Sequence, residues 1–547
     1  MNKLRSIINK LENYQATPGQ WVAGFIAVVL LRCFIESIFE KPNNIMISRD
    51  FFESVNAWFI HFPLFYVSIF LSLVLAIKIS IPYKDTRKIL KAVYLVFMFI
   101  LSAPIFDLIL TGGEGVNIGY MRNATLIPHL IIDSWDITQD FSQYGLSDGM
   151  RLELLLAGIM AILYVLVSTR DVVARVVRAF AMFFMVFFIF EMYGFWPALL
   201  SHVLQKGFDF TPISDESGYQ LMLKTFYETK FIRGNFANGS SLVYLWLIVI
   251  QGGIVLWSLK LTYFKSFFRS LRWWRFGHYF FLFVLGLVIG GYEWTDTVNK
   301  SVFPFTFFDG FALLSLLLAY TFLFFATTIY NDIEDQGIDS LAHPDRPLTS
   351  ARIPKEHYKI IAHSSLAMAL FTAYNVGYPT FLVFIATFTC THLYSIPPFR
   401  LRRFFLVSTS VLGLAASTVV LCGASFFLKH QAYELFPKDL LLIVFITFFF
   451  GANLKDLEDV QGDYAGKIQT AMTLFGDKGR IVIGGLVFTA FVVVGLFFMD
   501  WLLPLGIVMG IIVYYLIAVK KISTIKPAIY SYFAYFVAVI SYYIVQM

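Results

Sequence analysis

Fifteen uninterrupted apolar runs of roughly membrane-spanning length divide this chain, and no other feature restricts its fold so tightly. Six centre on about 20–39, 58–78, 89–111, 152–168, 178–204 and 241–262. Nine more follow a basic, aromatic stretch, at about 277–293, 308–330, 358–375, 379–394, 404–428, 439–454, 480–498, 501–519 and 527–545. A spanning helix takes about 20 residues, so fifteen of them use about 300. The runs are continuous and do not alternate in short strands, which excludes a β-barrel. Only 14% of the 547 residues are charged, against roughly a quarter in soluble domains. An all-α, polytopic membrane protein is the expected fold class.

The small net charge of +6 sits in short clusters between the apolar runs, a pattern of membrane orientation rather than of nucleic-acid binding. Cys33, Cys390 and Cys422 all fall inside apolar runs, so neither a disulfide framework nor a CxxC metal site is expected. The first run is of spanning length and lacks an A-x-A site, which favours a retained helix over a cleaved signal.

With a cytoplasmic N-terminus, the inner loops collect Lys84, Arg87 and Lys88, then Arg170, Arg175 and Arg178, then Lys265, Arg269, Arg272 and Arg275. Further along they collect Arg346, Arg352, Lys355, Arg400, Arg402, Arg403, Lys455, Lys467, Lys478, Arg480, Lys520, Lys521 and Lys526. The outer side of the second half holds only Lys300, Lys429 and Lys438, so this orientation obeys the positive-inside rule. The segment 263–275, YFKSFFRSLRWWR, reads as an interfacial linker. It separates an expected six-span domain, residues 1–262, from a nine-span domain, residues 276–547.

The chemistry is concentrated in two similar acidic octads. One places Asp332, Asp335 and Asp339 at i, i+3 and i+7; the other repeats this with Asp456, Asp459 and Asp463. On a continuous helix each trio shares one face; Gly337 and Gly462 could instead loosen the last turn and leave the third aspartate on a loop. Each octad follows a span, and four spans separate them, so both lie on one side of the membrane. Six aspartates at one surface repel without cations, and hard oxygen ligands suit Mg²⁺, which takes one or two carboxylates plus phosphate oxygens. The plainer alternative is a pair of solvated acidic loops.

Octad one is followed by His343-Pro344-Asp345-Arg346-Pro347-Leu348-Thr349-Ser350-Ala351-Arg352. The fourth span of this domain ends in Tyr394-Ser395-Ile396-Pro397-Pro398-Phe399-Arg400-Leu401-Arg402-Arg403. Together these stretches resemble the UbiA superfamily of intramembrane prenyltransferases. The N-D-x-x-D-x-x-x-D motif is matched by Asn331, Asp332, Asp335 and Asp339. The N-R-P-[LI]-x-S-G and Y-[SN]-x-P-P-x-[RK]-L-[KR] stretches follow, and the second acidic motif is matched by Asp459 and Asp463. The longer form with Asp456, K-D-L-E-D-x-x-G-D, is similar to members that prenylate a glycerophosphate acceptor. Departures are Asp345 for a frequent Asn, Ala351 for a common Gly, Lys467 at a glycine position and Met472 for a frequent proline.

The resemblance, over about 275–547, implies a prenyltransferase that uses Mg²⁺, two ions bridging the donor diphosphate. It implies metal ligation by Asp332, Asp335, Asp339, Asp456, Asp459 and Asp463. Asn331, Arg346, Arg400 and Lys467 would bind substrate, and the three cations would also stabilise the leaving group. Tyr394 would line the cavity or stabilise an allylic cation, or else serve as a belt tyrosine; Arg402 and Arg403 read as topology signals, and His343 as a solvated loop residue. The implied partners are a prenyl diphosphate donor, a lipophilic acceptor and the bilayer, with no nucleic acid. The implied location is the cell membrane, with the site facing the cytoplasm. Two other readings stay open: a cyclase or phosphohydrolase ionising the same donor, and an ion-coupled transporter, which the position of the acids at span ends disfavours.

The N-terminal half carries no comparable motif. Arg32 and Glu36 lie four apart within one span and are expected to pair. Glu191 stands in the fifth run, and Asp133, Asp136, Asp140 and Asp148 have no recognisable metal-loop spacing.

Overall fold

The computed structural model describes residues 2–39, 55–113, 147–169, 173–182, 184–186, 188–189, 236–270, 272–298, 306–428, 432–498, 500–522 and 526–546. Glu191, Asp133, Asp136 and Asp140 lie outside them, as does much of the predicted span at 178–204. Among the described residues the regular elements are all helical, and eleven helices are long and apolar enough to cross a membrane. The chain is a multi-pass integral membrane protein. The predicted spans at 358–375, 379–394 and 527–545 form helices Lys355–Val376, Tyr378–Ser395 and Lys526–Gln546, which are outside those eleven. The chain parts into two compact units between Phe264 and Lys265, residues 306–308 grouping with the first.

In the N-terminal unit, α1 (Asn2–Glu12) precedes four helices of spanning length. These are α2 (Pro18–Phe39), α3 (Ala57–Ser80), α4 (Thr86–Thr111) and α5 (Asp148–Ser168); α6 (Asn238–Leu259) follows. Val74, Ile77, Ile89, Val93, Tyr164 and Val165 form the core. Helix α4 is interrupted by a 3₁₀ turn at Met98–Leu101. Three residues beyond that turn stands Pro104, which has no N–H to return to the carbonyl of Ile100. That carbonyl accepts instead from the Arg32 guanidinium. The expected Arg32–Glu36 pair forms at 2.5 Å.

In the C-terminal unit the first span, α7 (Trp273–Val298), crosses α12 (Val407–Leu428). Between them lie α8 (Phe307–Glu334), α9 (Gln336–Ala342), α10 (Lys355–Val376) and α11 (Tyr378–Ser395). Small residues permit the crossing, as in other membrane bundles. A Cβ on Gly286 would stand 1.8 Å from the Val420 carbonyl oxygen, and one on Gly423 would stand 2.0 Å from that of Phe283. Helix α13 (Lys438–Gly451) continues as a 3₁₀ turn, Ala452–Leu457, into α14 (Val460–Ala465). Three helices close the unit: α15 (Gly479–Phe498), α16 (Leu502–Tyr514) and α17 (Lys526–Gln546). They share a core of Ile483, Val487, Phe491, Val513, Tyr532 and Tyr535.

Candidate active site

Both octads are built the same way. Helix α8 ends at Glu334, and Asp335 stands at φ −94°, ψ 8° before α9, which carries Asp339. The 3₁₀ turn after α13 ends at Leu457, and Asp459 stands at φ −91°, ψ 8° before α14, which carries Asp463. The middle aspartate is therefore a break between two helices, and the third sits on a short helix rather than a loop. Backbone bonds from Asp335 N to Asn331 O (2.9 Å) and from Asp339 N to Asp335 O (2.8 Å) carry the chain through the first break. Helices α9 and α14 pack together closely: a Cβ on Gly466 would meet Ile338 Cδ1 at 2.6 Å. This contact brings the octads side by side, 124 residues apart in sequence (Asp335 to Asp459).

Beside them lies a cavity of about 750 Å³. Its polar end is lined by Asn331, Asp335, Asp339, Asp459 and Asp463, with Arg272, Arg275, Arg346, Arg402 and Lys455. Its apolar end is lined by Tyr279, Tyr320, Phe324, Val419, Phe448 and Tyr532. Asp332 and Asp456 are buried and stand behind this lining. Asp332 accepts from Arg272 and, at 3.2 Å, from the buried hydroxyl of Tyr358.

The cations are shared among the acids. Arg346 pairs with Asp339 and lies 3.6 Å from Asp332. Arg400 pairs with Asp335 at 3.1 Å, and Arg402 donates to the same carboxylate. Asn331 donates to Asp335 at 2.6 Å, so it positions that side chain. Tyr394 lines the cavity; its hydroxyl accepts from Lys455, whose ammonium lies 5.1 Å from the ring centroid. His343 Nε2 lies 3.5 Å from Asp459 Oδ1, which ties the first loop to the second octad.

Burial sets the electrostatics. Burial outweighs the Arg346 guanidinium and raises the Asp339 carboxyl above the usual range. Asp463 is pushed up to about 7, chiefly by burial and then by Asp456, against the pull of Lys455. Burial likewise lowers the Arg402 guanidinium. A carboxylate group in this condition favours any cation that enters.

Of the residues expected from sequence, Asn331, Asp335, Asp339, Arg346, Tyr394, Asp459 and Asp463 meet at the cavity, and Arg400 reaches it through Asp335. Lys467 does not: it is exposed and lies outside the lining, because the turn after α14 carries it away. Arg402 was expected to be a topology signal, but it holds Asp335. Sequence reasoning left out Arg272, Arg275, Lys455 and Tyr358. Lys455 adjoins Asp456 within the octad motif, and Arg272 and Arg275 stand three apart at the entry to a span, signals that were available.

The glycine positions filled by Ala351 and Lys467 have a backbone explanation. Both residues adopt left-handed conformations, φ 52° in each case, where a side chain adds roughly 1–2 kcal/mol of strain. Ala351→Gly is expected to raise stability by about 1 kcal/mol in thermal unfolding. An unchanged or lower melting temperature would contradict this reading of the turn.

Residues 280–537 match the UbiA prenyltransferase family. The resemblance carried by the four motifs holds over this region. The chain is 29% identical over 182 residues to a chloroplastic 2-acylphloroglucinol 4-prenyltransferase of Humulus lupulus, covering 32% of this chain and 43% of that one. It is 22% identical over 204 residues to a digeranylgeranylglyceryl phosphate synthase of Sulfolobus acidocaldarius, covering 36% and 66%. The chain thus spans less than half the length of the Humulus enzyme. Among solved structures, a UbiA homolog from Archaeoglobus fulgidus bound to GPP and Mg²⁺ aligns with TM-score 0.37 and 19% identity, over 50% of this chain and 99% of that one.

Among the described residues no three His, Cys, Asp or Glu side chains converge on one point as a ready-made cage. Mg²⁺ does not require one, since it is usually held by one or two carboxylates with phosphate oxygens and water. Two aspartates from each octad line one cavity, and burial, followed by the neighbouring Asp456, raises the Asp463 carboxyl. The donor set fits.

Proposed function

We propose that this protein is an Mg²⁺-dependent prenyltransferase that moves a polyprenyl group from a prenyl diphosphate to a lipophilic or interfacial acceptor. The observation that carries this reading is one cavity with paired acidic octads and cations at one end and aromatic rings at the other. Its two ends match the two ends of a prenyl diphosphate. The family match supports the same reading.

Asp335, Asp339, Asp459 and Asp463 would hold Mg²⁺, with Asp332 and Asp456 supporting them from behind. When bound, the metal supplies positive charge that stabilises the departing diphosphate. Arg346, Arg402, Lys455 and Arg275 bind the diphosphate oxygens and share the charge that develops as the allylic C–O bond breaks. Tyr279, Phe324 and Phe448 surround the prenyl chain and exclude water, which suppresses hydrolysis. Tyr394 lies between the two ends and offers its ring to the developing cation. The positive-inside pattern supports a site on the cytoplasmic side, and the cell membrane is the proposed location. Residues 1–262 and residues 276–547 are proposed as separate domains joined by the basic, aromatic stretch 263–275.

Purified protein incubated with Mg²⁺, geranylgeranyl diphosphate and a lipid extract is expected to release diphosphate and form a new prenylated mass. Release must need Mg²⁺ and collapse in Asp459→Asn. Folded wild-type protein that releases nothing from donors of several lengths would overturn the reading. In the same assay Arg346→Ala is expected to lower release by about 10²-fold. Lys467→Ala should stay within about twofold, as expected of exposed charges; a large loss there would return Lys467 to the site.

A further inference from the structure

The N-terminal unit buries a charge cluster that the diphosphate chemistry does not use. Arg32, 1% exposed and within α2, places its guanidinium on Tyr66 Oη, the Ile100 carbonyl, Glu36 Oε1 at 2.5 Å and Glu153 Oε2 at 2.9 Å. One guanidinium therefore faces two carboxylates. The second oxygen of Glu36 is buried and, among the described residues, has no hydrogen-bond partner. Nearby on α4 is Asp107, whose two oxygens accept from Ser147 Oγ at 2.6 Å and Gly149 N at 2.7 Å. The other titratable groups around the cluster are Cys33 on α2, Tyr66 on α3, and Asp148 and Arg151 on α5; Arg151 lies 3.7 Å from Asp148.

An unbalanced charge inside spanning helices is expensive, and such groups are functional candidates by default. Arg32 balances one carboxylate of the pair and leaves the other in excess. Asp107 is solvated by two donors within the protein, whereas Glu36 Oε2 receives none, so the excess falls on the Glu36–Glu153 pair. Two of the pair's four oxygens are already committed to the guanidinium, which leaves too few for a metal shell. The adjoining cavity, lined by Tyr66, Ile100, Glu153, Ala157 and Tyr164, measures only about 70 Å³, room for water-sized occupants.

We propose that the N-terminal unit binds one proton per chain on the Glu36–Glu153 carboxylate pair, with Arg32 balancing the charge that remains. The proton comes from water and forms one O–H bond on a carboxylate oxygen; no other bond changes. The bound cluster of Arg32, one glutamate and one glutamic acid is neutral. This site is independent of the prenyltransferase reading.

The test is infrared difference spectroscopy of the full chain in nanodiscs from about pH 5 to about pH 9, a range bracketing ordinary and raised carboxyl titration. Circular dichroism checks the fold of each variant. Wild type is expected to show the protonated-carboxyl stretch of one buried group, shifted in D₂O and insensitive to sodium. Glu36→Gln and Glu153→Gln should each abolish the same band, because the remaining carboxylate is then balanced by Arg32. One folded variant suffices if the other fails to fold. A band absent from wild type, retained in a folded variant, or displaced by sodium would overturn the proposal.

Discussion

Asparagine at position 335 is expected to lower diphosphate release by about 10²–10³-fold, the loss typical of removing one fixed electrostatic stabiliser. Asp335 is 3% exposed and stands at the helix break of the first octad. Its carboxylate accepts from Asn331, Arg400 and Arg402, so it both faces the cavity and orders two of its cations. Asparagine keeps the shape and removes the charge. It also turns an amide N–H₂ toward two guanidinium groups, so the arginines shift as well as the metal site. A greater Mg²⁺ requirement is expected alongside the lost rate. Asp345→Asn is the matched control: it removes a carboxylate from an exposed loop position, and activity should be unchanged. Equal activity of wild type and Asp335→Asn would remove the first octad from the chemistry.

Leucine at position 423 is expected to destabilise the C-terminal unit by about 3 kcal/mol or more, at or beyond the usual range for overpacking. Even a Cβ there would stand 2.0 Å from the Phe283 carbonyl oxygen, 2.8 Å from Leu287 N and 3.1 Å from Phe283 C. These are backbone atoms of α7, so no side chain can rotate away. The helices must separate. Helix α7 carries Arg275, His278 and Tyr279, and α12 carries Leu412, Ala415 and Val419, all on the cavity wall. Activity should therefore fall with stability. Gly485→Leu, where a Cβ meets nothing within 4 Å, should be tolerated in the same thermal-unfolding measurement. Equal stability of the Gly423 and Gly485 variants would contradict the close crossing.

Much of the site was legible because its signal is local. A triad at i, i+3 and i+7, written twice, names its own aspartates, and Arg346 and Tyr394 lie in short motifs nearby. The positive φ at Ala351 and Lys467 shows what the unusual residues replace, glycines that a left-handed turn favours. Cation roles were harder to read. Arg402 and Arg272 carry the same letters as topology signals, and only the fold tells an arginine facing headgroups from one facing Asp335 or Asp332. In the N-terminal unit the i, i+4 spacing announced Arg32–Glu36, but nothing local announced Glu153, 121 residues from Arg32.

From the sequence alone came the all-helical membrane class, the two octads and the family they resemble. Those depend on composition, continuous hydrophobicity and spacing within one turn or two, which adjacent residues determine. The tertiary structure decided which charges meet. It brought α9 against α14 through Ile338 and Gly466, drew Arg402 inward while leaving Lys467 outside, and gave two glutamates to one arginine. Such pairings follow from helix crossings, set by where backbones can approach, and crossings are properties of two distant segments at once.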